Sequence, residues 1–217
     1  MLKYNINSFR QYAMKLLQNR PLITLFAIPQ LIIILFVAKS VSAQEQIQQF
    51  DDRILISLAA RRTPGQTRFM RFMSNTYRYG EVGVPTGLLI GGIISNDYQM
   101  RQNALYMASS TAITFGLTLL VKQIVKRPRP FVRNLKIISV YQPGEYSFPS
   151  GHSSTTFSTA MAVSNAYPKW YVIAPSFLWA GTVSYSRMYL GVHYPTDVAA
   201  GAILGTGTSL LLQPLKK

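Results

Sequence analysis

Apolar segments with helical spacing occupy most of this chain, and they limit the folds that it can adopt. The first covers residues 22–38 and, extended to residue 43, is long enough to cross a bilayer. Five more apolar helical segments follow, near residues 82–95, 104–125, 153–167, 170–185 and 197–213. No part of the chain has the pattern of a series of strands. The sequence therefore predicts an all-α protein, built as a six-transmembrane helical bundle.

Small residues are frequent in these segments, as in residues 108–112 (Ala-Ser-Ser-Thr-Ala) and 201–207 (Gly-Ala-Ile-Leu-Gly-Thr-Gly). Such residues let helices pack closely inside a membrane, where no hydrophobic effect holds helices together. Several segments are nevertheless short or polar for contact with lipid, and the mean hydropathy of the chain is low for six crossings. A soluble helical bundle therefore remains open as an alternative.

The composition divides the chain into four parts. Residues 1–20 are basic and polar, and are predicted to form a cytoplasmic arm. Residues 21–43 are predicted to be a transmembrane anchor, although their small-residue end also fits a signal peptide that is removed. Residues 44–80 combine helical apolar spacing with many arginines, which indicates interfacial amphipathic helices against anionic lipid; a solvated connector fits equally well. Residues 81–213 are predicted to form the helical core.

Basic residues far outnumber acidic ones, 22 Lys and Arg against 7 Asp and Glu, so the net charge is +15. Such an excess predicts a polyanionic partner, either nucleic acid, anionic membrane lipid or a phosphorylated substrate. Because 48% of the residues are hydrophobic and 13% are charged, the chain lacks the polar basic surface of a nucleic-acid-binding protein. The chain has no cysteine, which excludes disulfides, thiolate metal sites and a cysteine nucleophile.

The chain contains two histidines, His152 and His193, and each lies in a polar segment that includes glycine. Imidazole can act as acid, base or nucleophile near neutral pH. His152 follows Pro149-Ser150-Gly151 at the predicted start of a helix, where free backbone N–H groups and the helix dipole favour a bound anion. Gly151 lets the backbone approach that anion, and Ser150 caps the helix or donates to an anion oxygen. An ordinary capped helix with an incidental histidine is the alternative.

His193 also lies just before a predicted helix, whose first position suits Pro195. Asp197, in the first turn of that helix, can accept a hydrogen bond from Nδ1 of His193 and leave Nε2 free to attack. Arg187, six residues before His193, can hold a phosphate oxygen. A helix cap with a surface histidine would explain the same residues without any chemistry.

A basic cluster, residues 122–130, ends the third apolar segment, because Pro128 and Pro130 cannot continue a helix. Lys122 and Arg129 lie on either side of this end and can point at one position. Arginine offers a planar pair of donors to phosphate oxygens, and lysine offers a mobile positive charge. A cluster that contacts lipid head groups is the alternative.

Together these three clusters resemble the type 2 phosphatidic acid phosphatase superfamily, which is related to class A acid phosphatases and vanadium haloperoxidases. The family has Lys, six residues and Arg-Pro; then Pro-Ser-Gly-His; then Ser-Arg, five residues, His, three residues and Asp. The matching positions are Lys122 with Arg129-Pro130, Pro149 to His152, and Ser186-Arg187 with His193 and Asp197. Every defining position is present at the family's spacing.

The resemblance implies a haloperoxidase-like helical core and a phosphatase that needs no metal and no cofactor. In such an enzyme His193 would attack phosphorus and form a phosphohistidine, while Asp197 holds the ring. His152 would protonate the leaving oxygen and then activate water. The phosphate oxygens would be held by Lys122, Arg129, Ser150, Gly151 and Arg187.

The resemblance also implies a phosphorylated lipid substrate, with undecaprenyl diphosphate, phosphatidylglycerophosphate, phosphatidate and lipid A phosphates as candidates. With six crossings and the N-terminus inside, residues 122–150 and 186–196 emerge on one outer face. We therefore expect a multi-pass protein of the bacterial inner membrane with its active site on the periplasmic side. Residues 43–81 and the loop 131–147 are expected to determine which lipid is accepted.

Three other functions remain open. If residues 1–43 are cleaved, the remainder would be a secreted acid phosphatase that acts on soluble phosphomonoesters. A vanadium haloperoxidase would use the same anion pocket for its cofactor, but such enzymes are usually much longer. A membrane protein that only binds anionic lipid would account for the charge but not for both histidines.

Overall fold

The structure, a computed structural model, describes residues 41–144 and 146–213. The predicted arm and most of the predicted anchor lie outside the described residues. The described residues form eight α-helices and one π-helical turn: α1 (Val41–Ala60), α2 (Pro64–Asn75), the π-helical turn (Tyr79–Gly83), α3 (Val84–Ile94), α4 (Tyr98–Val125), the short α5 (Pro130–Arg133), α6 (Gly151–Ala166), α7 (Trp170–Tyr189) and α8 (Pro195–Leu212). They contain no strand, so the prediction of an all-α protein is confirmed for this part of the chain.

Local signals in the sequence set the ends of several helices. Thr63 caps α2, because its side chain accepts a hydrogen bond from the Gln66 backbone N–H at 3.3 Å. Asp97 caps α4 in the same way, with its carboxylate 3.0 Å from the Met100 nitrogen. This cap explains why α4 begins before the apolar segment that predicted it. The helix ends where Lys126 adopts a left-handed conformation, with φ of 50°.

Helix α6 is packed against α4, α7 and α8. Its buried face consists of small and hydroxyl-bearing residues: Ser153, Ser154, Thr155, Thr156, Ser158, Thr159, Ala160, Ala162 and Ser164. Two of the hydroxyls bond across to α4, Ser158 to Ser110 at 2.8 Å and Thr159 to Thr111 at 3.0 Å. Small side chains let the helices approach closely, and the hydroxyl pairs satisfy each other's hydrogen bonds.

Glycines bring α8 directly against α6. A Cβ atom added at Gly201 would lie 2.7 Å from the carbonyl oxygen of Ser150, and one added at Gly205 would overlap the backbone of Ser154. Because they are four residues apart, the two glycines lie on one face of α8. The close approach also lets the Ser150 backbone N–H donate to the Asp197 carbonyl oxygen at 3.0 Å. The first turns of two predicted motif helices are therefore joined.

Many large apolar side chains of α3, α4, α7 and α8 point away from the packed interior. The exposed ones include Ile90, Ile93, Ile94, Leu105, Ile113, Phe115, Leu120, Ile124, Leu178, Ile203 and Leu210. A soluble domain buries such side chains, whereas here small polar residues occupy the interior. This arrangement is typical of helices surrounded by lipid.

Among the described residues, one segment, Tyr98–Arg133, is long and apolar enough to cross a membrane. Only 33% of its most apolar stretch is buried, so most of that surface faces the surroundings. The predicted interfacial segment contains α2 and all of α1 except its first three residues, which belong to the predicted anchor. The later apolar segments correspond to α3, α4, α6, α7 and α8. The count of six crossings and the division into four parts remain predictions.

Replacing Gly205 with alanine is expected to push α6 and α8 apart, because the added methyl group has no space. We expect the free energy of unfolding to fall by about 1–3 kcal/mol, as in other overpacked interiors. Thermal unfolding of the purified protein in detergent measures this loss.

Gly207→Ala is the matched control for that variant. Nothing lies within 4 Å of a Cβ atom added at Gly207, and alanine favours a helix over glycine. The control should therefore unfold at the wild-type temperature or above it. Equal unfolding temperatures for the two variants would contradict the packing described between α6 and α8.

Candidate active site

His193 lies in the tight turn between α7 and α8. The turn depends on Gly191, which has φ of 74° and where a Cβ atom would approach the Ile138 carbonyl oxygen to 3.0 Å. The backbone N–H groups of Val192 and His193 both donate to the Arg187 carbonyl oxygen, at 3.1 and 3.3 Å. The turn thus folds back onto the end of α7 and buries the His193 side chain, which is 3% exposed. This burial excludes the alternative of a surface histidine.

The two ring nitrogens of His193 have different neighbours. Nε2 lies 3.3 Å from Nη1 of Arg129. Nδ1 lies 3.4 Å from Oδ2 of Asp197, slightly longer than an ordinary hydrogen bond of about 2.7–3.2 Å. The carboxylate is therefore beside Nδ1, and Nε2 faces a guanidinium group.

Asp197 is held at both of its oxygens in the first turn of α8. Oδ2 accepts a hydrogen bond from the Tyr194 backbone N–H at 3.0 Å, as part of a capping box. Oδ1 accepts one from Nη1 of Arg127 at 2.7 Å, and the side chain is 0% exposed. The start of the helix and the arginine together fix the orientation of this carboxylate.

The second histidine, His152, lies in the first turn of α6. Ser150 is the N-cap of this helix, and its hydroxyl accepts a hydrogen bond from a backbone N–H of the first turn. The ring of His152 packs against that of Tyr77, with the ring centroids 3.9 Å apart. A Cβ atom added at Gly151 would have Thr118 Cγ2, at 3.9 Å, as its nearest neighbour, so nothing crowds this backbone. Backbone N–H groups at such a helix start are suited to an anion.

Two of the predicted phosphate-binding residues, Lys122 and Arg129, form hydrogen bonds with the loop between α5 and α6. Nζ of Lys122 donates to the Tyr146 carbonyl oxygen at 2.5 Å. Arg129 donates from Nε and Nη2 to the Gly144 carbonyl oxygen, at 3.0 and 2.9 Å. Both basic residues are buried, and carbonyl groups of the loop fix their positions. The influence of residues 131–147 on the choice of lipid remains a prediction.

Arg187, the third predicted cation, lies near the end of α7 and is 3% exposed. Its Nη1 donates to the hydroxyls of Ser74 and Tyr141, each at 2.5 Å. Since Ser74 belongs to α2, the predicted interfacial segment contributes directly to the site. Nε of Arg187 is buried and has no hydrogen-bond partner among the described residues. A buried donor of this kind is suited to a ligand oxygen.

Burial and positive charge lower the pKa of both histidines, whose rings lie outside the predicted apolar segments. Burial is the largest cause of the low pKa of His193, and the charges of Arg129, Arg187 and Lys122 lower it further. Burial is also the largest cause of the low pKa of His152, followed by the charge of Arg187, with further contributions from Arg78 and Arg129. Because both pKa values lie well below 6.5, both rings are neutral at neutral pH.

Contacts and charge interactions bring all eight predicted site residues together. They are Lys122, Arg129, Ser150, Gly151, His152, Arg187, His193 and Asp197. Among the described residues, no group of three or more His, Asp or Glu side chains could hold a metal ion. The donors that do converge are cations, hydroxyls and backbone N–H groups, which suit an anion. The catalytic roles of the eight residues remain predictions.

No feature of the sequence indicated several residues that complete the site. Tyr77 stacks on His152, and Ser74 accepts a hydrogen bond from Arg187. The partners in each pair are far apart in the sequence. Arg127 was part of the predicted basic cluster, yet no feature of the sequence separated it from the other basic residues there. Arg127 and Asp51 are far apart in the sequence, so no local pattern indicated that they form an ion pair.

The sequence matches the model of the PAP2 superfamily over residues 103–215. It is 36% identical over 112 residues to an undecaprenyl-diphosphatase from Sulfolobus acidocaldarius, and the aligned residues cover 51% of this chain and 54% of that protein. It is 38% identical over 76 residues to a lipid A 4′-phosphatase from Bacteroides thetaiotaomicron, and the aligned residues cover 35% of this chain and 34% of that protein. The chain therefore spans about half the length of the first of these relatives and about a third of the second.

The fold is similar to the solved structure of a transmembrane PAP2-type phosphatidylglycerolphosphate phosphatase from Bacillus subtilis. The TM-score is 0.67 at 20% identity, over 87% of this chain and 94% of that chain. At this identity the likeness concerns the fold alone. All three motifs lie within the residues that the family model matches. This match, over more than half of the sequence, shows that the chain belongs to the PAP2 superfamily.

Proposed function

We propose that this chain is a membrane phosphatase that hydrolyses a phosphorylated lipid through a phosphohistidine, without a metal ion. The observation that carries the proposal is the position of two neutral imidazoles, His152 and His193, among three buried cations. A phosphate group would compensate the positive charge and lie within reach of both rings. Two relatives support the same class of reaction, since one is an undecaprenyl-diphosphatase and the other a lipid A 4′-phosphatase.

In the first step, Nε2 of His193 attacks phosphorus, so that a P–N bond forms while the bond to the leaving oxygen breaks. Asp197, beside Nδ1, holds the ring and stabilises the positive charge that the ring acquires. The bound phosphate offsets the surrounding cations, and this raises the pKa of His152 above its value in the empty site. His152 therefore takes up a proton and gives it to the leaving oxygen.

In the second step, a water molecule attacks the phosphohistidine. His152 removes a proton from this water, the P–N bond breaks, and its electron pair returns to His193. Inorganic phosphate leaves, the pKa of His152 falls again, and the ring releases its proton to the solvent. In both steps negative charge spreads over the equatorial oxygens. These oxygens would be held by Lys122, Arg129, Arg187, the Ser150 hydroxyl and the Gly151 backbone N–H.

The lipid part of the substrate is proposed to lie between helices at the outer surface of the core. A largely apolar cavity of about 390 Å³ lies between the π-helical turn, α3, α4 and α6. Its lining includes Glu81 of the turn and Thr155, about one turn beyond His152. The start of a hydrocarbon chain would fit there while the head group enters the cationic site. We propose a lipid diphosphate or phosphate of the bacterial cell envelope, namely undecaprenyl diphosphate, phosphatidylglycerophosphate, phosphatidate or a lipid A phosphate.

We also propose the topology that this substrate requires. Residues 1–20 would form a cytoplasmic arm, residues 21–43 an anchor, residues 44–80 an interfacial segment and residues 81–213 the core. Six crossings of the inner membrane would then place the site on the periplasmic face. The apolar side chains on the outside of the helices support a lipid environment for the core. A secreted, soluble acid phosphatase would have to bury these apolar side chains away from water.

Replacing His193 with alanine is expected to lower the rate of phosphate release by about 10⁴-fold or more, because the nucleophile is lost. Phosphoenzyme trapping with a ³²P-labelled lipid phosphate should fail in the same variant. Thermal unfolding shows whether the variant remains folded. A folded variant with activity within about tenfold of wild type would remove His193 as the nucleophile.

Replacing His152 with alanine is expected to affect substrates unequally. The rate on alkyl phosphates should fall by about 10²–10⁴-fold, the usual contribution of general acid catalysis. The rate on an aryl phosphate should fall much less, because its leaving oxygen does not require a proton. Equal losses on the two substrates would contradict the role of His152 as the acid.

The two histidines also predict an unusual titration. Since the chain contains only two, ¹⁵N-labelled histidine gives the spectra of just these rings. Because burial and positive charge lower both pKa values, we expect neither ring of the ligand-free protein to titrate near pH 6.5. The unfolded chain takes up these protons first, so stability should decrease as the pH falls below about 6.5. A folded-state ring that titrates at 6.5 would contradict the electrostatics described for the site.

A further inference from the structure

Arg127 joins two buried carboxylates that are far apart in the sequence. Its Nη1 donates to Oδ1 of Asp197 at 2.7 Å, and its Nη2 donates to Oδ2 of Asp51 at 2.8 Å. Both carboxylates are 0% exposed. The guanidinium group also lies over the ring of Tyr194, with Cζ 3.9 Å from the ring centroid. Two ion pairs and one aromatic ring therefore fix the plane of this group.

Helix α1 also binds the first turn of α8 directly. Asp51 accepts hydrogen bonds from the Thr196 backbone N–H at 3.1 Å and from the Thr196 hydroxyl at 2.5 Å. Gln48, one turn earlier in α1, accepts a hydrogen bond from Nη2 of Arg127 at 3.0 Å. Helix α1 thus holds both the arginine and the residue that precedes Asp197.

Asp197 connects these contacts to the ring of His193. Arg127 binds Oδ1 of Asp197, which leaves Oδ2 to face Nδ1 of His193 at 3.4 Å. Both terminal nitrogens of Arg127 are directed at carboxylates, which distinguishes it from the three cations that surround the histidines. The position of Arg127 therefore suits control of the carboxylate rather than contact with a phosphate.

We propose that Arg127 and Asp51 are positioning residues for His193 that act through Asp197, and that α1 is thereby part of the catalytic apparatus. The proposal rests on the proposed function, in which His193 is the nucleophile. Arg127 sets the rotation of the Asp197 carboxylate, and Asp51 holds Arg127 in place. Because α1 belongs to the predicted interfacial segment, a displacement of this helix at the membrane surface would alter the orientation of the nucleophile.

Two conservative variants of the full chain test the proposal. Asp51→Asn removes the charge and keeps the shape of the side chain, whereas Arg127→Lys keeps the charge and loses the second donor group. Asp52→Asn is the matched control, since Asp52 is the next residue of α1 and binds Asn134 and Gln48 rather than the arginine. The asparagine oxygen can still accept the hydrogen bond from Gln48, so the contact of Gln48 with Arg127 is kept. Thermal unfolding shows which variants are folded. If Arg127→Lys does not fold, the result for Asp51→Asn alone decides the proposal.

Rapid-quench measurements with a ³²P-labelled lipid phosphate separate formation of the phosphoenzyme from its breakdown. We expect both variants to slow formation by about 10- to 100-fold, by analogy with the loss of residues that orient metal-binding histidines. KM should stay within about threefold of wild type, because no phosphate contact is lost. Asp52→Asn should change neither quantity by more than about threefold. A residue that only stabilised the fold would not produce this selective loss.

The ¹⁵N signals of the histidine rings give a readout that does not need activity. We expect Asp51→Asn and Arg127→Lys to shift the Nδ1 signal of His193 and to leave the signals of His152 unchanged, while Asp52→Asn shifts neither. Wild-type formation rates, or an unshifted His193 signal, in a folded variant would overturn the proposal. If the wild-type protein forms no phosphohistidine, the proposed function fails, and the His193 signal still decides whether the two residues position the ring.

Discussion

The positive charge around His152 and His193 is the constraint on which the rest of the site depends. The loss of solvent, together with the positive charges of Arg129 and Arg187, keeps both imidazoles neutral. A neutral ring has the free electron pair that a nucleophile requires, and a bound anion supplies the negative charge that converts the second ring into an acid. In the proposed reaction, one electrostatic arrangement thus gives two identical side chains opposite roles.

The proposed function requires a membrane lipid to reach this charge, and the packing of the helices agrees with a lipid environment. Large apolar side chains lie on the outside of the helices, and serines, threonines and glycines lie between them. Gly201 and Gly205 allow α8 to approach α6 so closely that the backbone of Ser150 bonds to that of Asp197. The two helix starts that hold the histidines are therefore fixed to each other by backbone contacts, independently of side-chain rotamers.

The sequence predicted the starts of the helices at the candidate site better than the residues that support the site, and the reason is physical. Ser150 and Pro195 mark the starts of helices through local chemistry, and both helices begin where these residues indicate. Tyr77 stacks on a histidine and Asp51 binds Arg127 only because distant helices pack over the core, and no local pattern encodes such contacts. The extent of each helix within lipid depends likewise on which faces are packed, so apolar spacing alone did not establish the number of crossings.

A structure with bound vanadate is the most direct test of the central claim, because vanadate adopts the five-coordinate geometry of phosphorus in the transition state. We expect vanadium to be bonded to Nε2 of His193, with the ring of His152 beside the opposite apical oxygen. The equatorial oxygens should contact Lys122, Arg129 and Arg187. Vanadate bound at another place, or bound here without a bond to His193, would contradict the mechanism.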